Sequence, residues 1–114
     1  MRAQAGEGKL LRVFLDEGDR YEGRPAYMAL VDALRDAGFA GATVFKAIEG
    51  FGSRRTVRSA RVVDYSTDLP VLVEVVEEAG KIEAFLPALT AIVREGLVTV
   101  EKLSLFKLSA DVPQ

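Results

Sequence analysis

The chain contains no cysteine and no histidine. The first absence removes disulfides, thiol nucleophiles and thiolate metal sites, and the second removes imidazole ligands and the serine–histidine relay. Long apolar runs are missing as well. None approaches the ~20 residues that a membrane helix needs, and the opening stretch MRAQAGEGK lacks the apolar centre of a secretory leader. The expectation is a cytoplasmic protein without direct membrane insertion. Positive charge is in short supply too: 15 Lys and Arg stand against 17 Asp and Glu, a formal net charge of -2. A general electrostatic grip on nucleic acid is therefore not expected, and any anion binding must be local. The carboxylates are scattered, and Glu77-Glu78 at a strand end reads as an ordinary solvated pair. With no recognisable catalytic constellation, the chain is not expected to be an enzyme, a small carboxylate-dependent one being the minor alternative.

What is present suffices for one compact domain: 114 residues, 49% of them hydrophobic. A single domain over residues 1–114, with its core at about 9–108, is the expectation. Residues 9–15, KLLRVFL, place Leu11, Val13 and Leu15 on one side of a strand and Leu10, Arg12 and Phe14 on the other. Pro25 suits a first helical turn, Tyr27, Leu30, Val31 and Leu34 recur at helical spacing over about four turns, and Gly38 supplies a left-handed stop. ATVFKAI (42–48) and LPVLVEVV (69–76) read as the second and third strands. From Lys81 a second apolar stripe runs through Ile82, Phe85, Leu86, Leu89, Ile92 and Val93 and is closed by Gly96, with Pro87 predicting a kink or a start displaced towards Leu86. In the last segment, LVTVEKLSLFKL, the apolar phase slips between Val100 and Leu103, which predicts a bulge or turn near Glu101.

The order β-α-β-β-α-β predicts an α+β ferredoxin-like sandwich, a four-stranded antiparallel sheet with two helices on one face. The uncovered face is expected to carry Leu10 and Phe14, Val44 and Ile48, and Leu72 and Val76, with Arg12, Lys46 and Glu74 among them, so that Glu74 sits between two cations. So large an apolar face predicts oligomerisation through it.

The segment GFGSRRTVRSAR, residues 50–61, carries four arginines in eight residues. Gly50 and Gly52 allow backbone turns that present N–H groups to an anion, Phe51 is an aromatic anchor, Ser53 a hydroxyl donor, and Arg54 and Arg55 supply forked contacts to phosphate or carboxylate. The plainer reading is a tight turn followed by a solvated basic loop. No aromatic interleaves the arginines, which speaks against a reader of nucleic-acid bases.

The stretches GDRYEGRPAYMALVDALRDAGFAGATVFKAIEGFGS, DLPVLVEVVEEAGKIEAFLPAL and EGLVTVEKL together resemble the PII-like proteins of domain-of-unknown-function family one-ninety, within the PII nitrogen-regulator superfamily. The resemblance implies a ferredoxin-like protomer that forms a homotrimer with its sheets inward. It also implies an adenine nucleotide (AMP, ADP or ATP) bound between subunits, no obligatory cofactor, and a mobile loop at about 52–68 that docks on a membrane transporter or an enzyme. By position, Gly50, Phe51 and Gly52 correspond to the turn before that loop. Ser53 and Arg54 fall at its base near the phosphates, Thr43 near the base or sugar, and Glu74 beside the cleft. Gly96 and Lys102 lie where PII has its phosphate-contacting segment. PII proteins have Arg-Gln after the turn where this chain has Ser53-Arg54, and their glycine-rich phosphate segment reads GLVTVEK here, so a mono- or diphosphate is expected rather than a triphosphate. The alternative reading is a protein-interaction module whose loop binds a partner without any nucleotide.

Overall fold

The structure is a computed structural model that describes residues 2–51, 58–59 and 68–110, with backbone alone for residues 2–4 and 58–59. Its elements in chain order are β1 (Arg2–Asp16), β2 (Arg20–Tyr21), β3 (Arg24–Pro25), α1 (Ala26–Asp36), β4 (Thr43–Lys46), β5 (Glu49–Gly50), β6 (Arg58–Ser59), β7 (Pro70–Glu78), α2 (Ala79–Ile92) and β8 (Leu97–Ser109). β4, β7, β1 and β8 lie side by side in that order, every neighbouring pair antiparallel, and both helices cover one face. This is the expected ferredoxin-like sandwich.

Alternation along two central strands builds the core. Leu11, Val13 and Leu15 of β1 stand opposite Val75, Val73 and Val71 of β7, and all six are buried. Against them α1 sets Ala26, Ala29, Leu30 and Leu34, and α2 sets Ile82, Phe85, Leu89 and Ile92. Removing this apolar surface from water is worth about 25 cal/mol per Å² and holds the helices to the sheet. The Phe39 and Phe85 rings meet edge to face, centroids 5.3 Å apart, joining the end of α1 to α2.

The helix boundaries differ from the sequence expectation by about a turn. α1 has 11 residues, with Pro25 at its N-cap rather than within its first turn. Gly38, at φ 85°, does end it: its N–H donates to Arg35 O at 3.0 Å and the Phe39 N–H to Leu34 O at 3.1 Å. α2 begins at Ala79 and runs through Pro87, so the proline does not displace the start. Gly96 is not its cap, since Ile92 is the last helical residue. At φ 151° it turns the chain into β8, where a Cβ would collide with the Phe14 carbonyl.

The final strand contains no bulge. β1 and β8 stay in register from Arg2 opposite Ser109 to Phe14 opposite Leu97. The apparent slip arises because β8 lies at the sheet edge: Val98 and Val100 share a face with Leu11 and Val13 yet remain 36% and 41% exposed. Leu103 and Leu105, of the other phase, find cover where β1 has no side chains, with both leucines close to Gly8.

The phase of β4 is the reverse of the expected one. Thr43 pairs with Glu74 and Phe45 with Leu72 on the open face, whereas Val44 and Lys46 pair with Val73 and Val71 on the helix side. Ile48 lies beyond the strand. Lys46 consequently pairs with Glu17, and Glu74 faces one nearby cation, Arg12, at 3.1 Å rather than two. Every residue of TVFK is exposed, so burial gives this short edge strand no internal phase, and its backbone pairing with β7 sets it.

Candidate functional site

The open face of the sheet is apolar and lacks cover from the described chain. Phe14 is 39% exposed, Phe45 49%, Val76 48% and Leu97 60%. At one end of this face, where β1 finishes and β7 and β8 begin, Phe14, Phe45, Phe51, Leu72, Gly96 and Leu97 line a cavity of 670 Å³. Period-2 geometry places Phe14, Leu72 and Phe45 in one cross-strand row, with Leu97 beyond Phe14 on β8. Phe51 enters from the segment after β5, and Gly96 from the turn before β8.

Charge is confined to the rim. Asp16, Asp19, Lys46 and Glu95 also border the cavity, and Lys46 is held by Glu17, whose hydrogen bond raises its pKa. The cavity itself thus suits a flat apolar group, and its own rim is not a cradle for phosphate.

A second, shallower cleft of 290 Å³ is lined by Thr43, Glu74 and Val76 with Gly41 and Ala42. Thr43 and Glu74 are direct cross-strand partners, two residues along from Phe45 and Leu72, so the two hollows lie about 7 Å apart on the same face. Arg12 Nε donates to Glu74 Oε2 at 3.1 Å, and Arg12 Nη1 lies 3.6 Å from Glu101 Oε1. This charge cluster is internally paired.

The structure therefore brings Phe51 and Gly96 into one cavity and Thr43 and Glu74 into the adjoining cleft. Gly50, opposite Arg58 in the β5–β6 pair, has no positive φ; its missing Cβ leaves room for Pro70 Cγ, 3.1 Å from where that atom would stand. Lys102 is not part of the site within one chain. It lies opposite Lys9 on the helix-side face, where Lys9 Nζ donates to Glu83 at 2.7 Å. Gly52, Ser53 and Arg54 lie outside the described residues. Sequence reasoning missed Phe45, because the β4 phase was inverted, and Leu97, whose only signal was its place beside Gly96.

Glu77 departs from the solvated pair expected. It is 1% exposed, while the Glu78 side chain is 62% exposed. The N–H groups of Glu78 and Ala40 donate to its two oxygens at 3.0 and 3.1 Å, and Lys107 Nζ lies 3.6 Å away. Burial pushes its pKa up, but the two backbone donors, Lys107 and Lys81 outweigh that and hold it below the usual carboxylate range. Its role is to fasten the α1–β4 connection to β7. Among the described residues no group of three or more Asp or Glu could hold a metal ion, and no helix is long and apolar enough to cross a membrane.

The family model DUF190, described as an uncharacterized ACR, matches residues 8–113. The chain belongs to the DUF190 family. A UPF0166 protein of Aquifex aeolicus is 37% identical over 100 residues, 88% of this chain and 94% of that protein. Another, of Methanocaldococcus jannaschii, is 33% identical over 102 residues, 89% and 94% of the two chains. Among solved structures, a PII-like signaling protein from Thermus thermophilus covers 91% of this chain and 92% of its own at 18% identity, with a TM-score of 0.60. The nitrogen regulatory PII-like protein CPII from Thiomonas intermedia, bound to ADP, AMP and bicarbonate, covers 90% and 91% at 20% identity, with a TM-score of 0.57. At these identities the structural likeness shows that this chain shares the PII-like fold.

Proposed function

We propose that this DUF190 protein is a cytoplasmic, PII-like regulator rather than an enzyme. In this reading it forms a homotrimer through its open sheet face and binds an adenine mono- or diphosphate at the resulting clefts. The observation that carries the reading is the 670 Å³ aromatic-lined cavity beside Phe51, on a sheet face that the described residues leave bare. That volume lies within the range of small-molecule sites, and Phe14, Phe45 and Phe51 offer the ring faces and edges against which a purine packs. Support also comes from the fold neighbour CPII, bound to ADP and AMP.

The acidic residues Asp16, Asp19 and Glu95 disfavour phosphate on their part of the rim, and in this reading Ser53 and Arg54, which follow Phe51 in sequence, supply the phosphate donors. Such a ligand signals only if it binds one arrangement of loop 52–68 more tightly than another, and contacts to Ser53 and Arg54 supply that difference. The loop then docks on its target, a transporter or an enzyme.

The same acidic rim favours a second reading, an interaction module whose cavity holds an apolar side chain of a partner protein. Calorimetry with AMP, ADP, ATP and cyclic dinucleotides separates the two. Binding of AMP or ADP, weakened about tenfold or more by Phe51→Ala through loss of ring stacking, supports the regulator. Absence of heat with every nucleotide overturns it in favour of the module.

A further inference from the structure

We propose that the groove between the β2–β3 turn and the end of α2 is an anion site, in which Arg20 and Arg94 together hold a small oxyanion of the phosphate type. It is a hollow of 570 Å³ on the helix-covered side, lined by Arg20, Tyr21, Glu22, Thr90, Ala91 and Arg94. The open-face cavity does not share these residues.

The state of the cations among the described residues draws attention to this groove. Lys9, Arg12, Arg24, Arg35, Lys46 and Lys107 each have a carboxylate within ion-pairing distance, and Lys81 donates to the Gly38 carbonyl at 2.8 Å. Among the described side chains Arg20, Arg94 and Lys102 have neither kind of partner; Lys102 lies apart on β8 opposite Lys9, whereas the two arginines line this one groove. Glu22 lines it too and Glu95 borders the shoulder beside it, yet neither forms an ion pair with either arginine. Two guanidinium groups on one concave surface repel each other unless an anion lies between them, and their planar forks match the oxygens of a phosphate.

The backbone on both walls is fixed. Asp19 N–H donates to Asp16 O at 3.1 Å, Ala26 N–H donates to Asp19 O at 2.7 Å, and Arg20 pairs with Pro25, which together hold the β2–β3 turn. On the other wall, the Val93 N–H donates to Leu89 O at 2.8 Å, closing α2 one residue before Arg94. Compensation of the helix dipole is the ordinary role for a cation at this place. Arg94, however, makes no hydrogen bond to a last-turn carbonyl among the described residues.

The test is a titration of the full chain with inorganic phosphate, following arginine Nε–Hε and backbone signals by NMR, with chloride at equal ionic strength as control. Saturable shifts of Arg20 and Arg94 with phosphate alone are expected. Arg20→Ala and Arg94→Ala should each weaken binding about tenfold or more, with lysine at either position recovering part of it. Glycerol 3-phosphate run in parallel distinguishes the source: tighter binding than inorganic phosphate marks the site as one for a phosphorylated metabolite, weaker binding as one for the free ion. Equal shifts with chloride overturn the proposal, as does an alanine variant that alters native mass instead of phosphate affinity, because the arginines then belong to a subunit contact. Signals of Phe51 and Gly96 report the nucleotide cavity separately, so failure of one site is distinguishable from failure of the other.

Discussion

The carboxylate of Glu77 accepts the backbone N–H of Ala40 at 3.1 Å from a fully buried position at the end of β7. A residue that looks like half of a surface acid pair thus holds the return from α1 against the sheet, just before the strand that carries Thr43 and Phe45.

Glu77→Gln keeps an acceptor for Ala40 but loses the charge facing Lys107 and Lys81. Urea unfolding should show a loss of about 1–3 kcal/mol near neutral pH. Because the folded carboxyl titrates below its unfolded value, its stabilisation is complete above the ordinary glutamate value of about 4.3 and disappears as pH falls through the folded one. The wild type should therefore lose stability on acidification more steeply than the variant, and parallel curves would contradict this account.

At Gly8 a Cβ would run into Leu105 Cδ2 and come within 3.0 Å of the Glu77 carbonyl oxygen, whereas at Gly6 the nearest atom is Leu105 Cδ1 at 3.9 Å. Gly8→Ala should destabilise by about 1–3 kcal/mol through overpacking, and Gly6→Ala by much less. Thermal unfolding of the two variants side by side checks the ranking.

The Arg12–Glu74 pair retains 37% and 30% exposure of its side chains. A double-mutant cycle on a single-chain form should return a coupling of about 0.2–1 kcal/mol that shrinks with added salt. A markedly larger value would mean that the pair is desolvated in solution.

Phe45 projects from an edge strand onto the open face, outside the core. Phe45→Glu should leave the circular dichroism spectrum intact while sedimentation reports a single 12.4 kDa chain in place of the proposed trimer. An unchanged mass would remove the open face from the assembly.

Much of the scaffold is written in local pattern. The alternation of Leu11, Val13 and Leu15, the matching one in residues 71–75, and the helical spacing of Leu30 and Leu34 each reflect the pleat or pitch of a single element, and Gly38 stops α1 because only its own backbone conformation is at stake. Residues that act within one element are legible from their neighbours in sequence.

Tertiary structure alone decided the phase of β4, the unbroken register of β8 and the burial of Glu77. It also decided the meeting of Phe14, Phe45, Phe51, Leu72 and Leu97, which arrive from five separate stretches. An edge strand exposed on both faces carries no apolar alternation to read, so hydrogen bonding to a partner some thirty residues away along the chain, Thr43 to Glu74, chooses which of its side chains face the cavity. A carboxylate's environment is likewise set by donors from distant segments, and no property of the residues beside Glu77 in sequence encodes the arrival of Ala40 and Lys107.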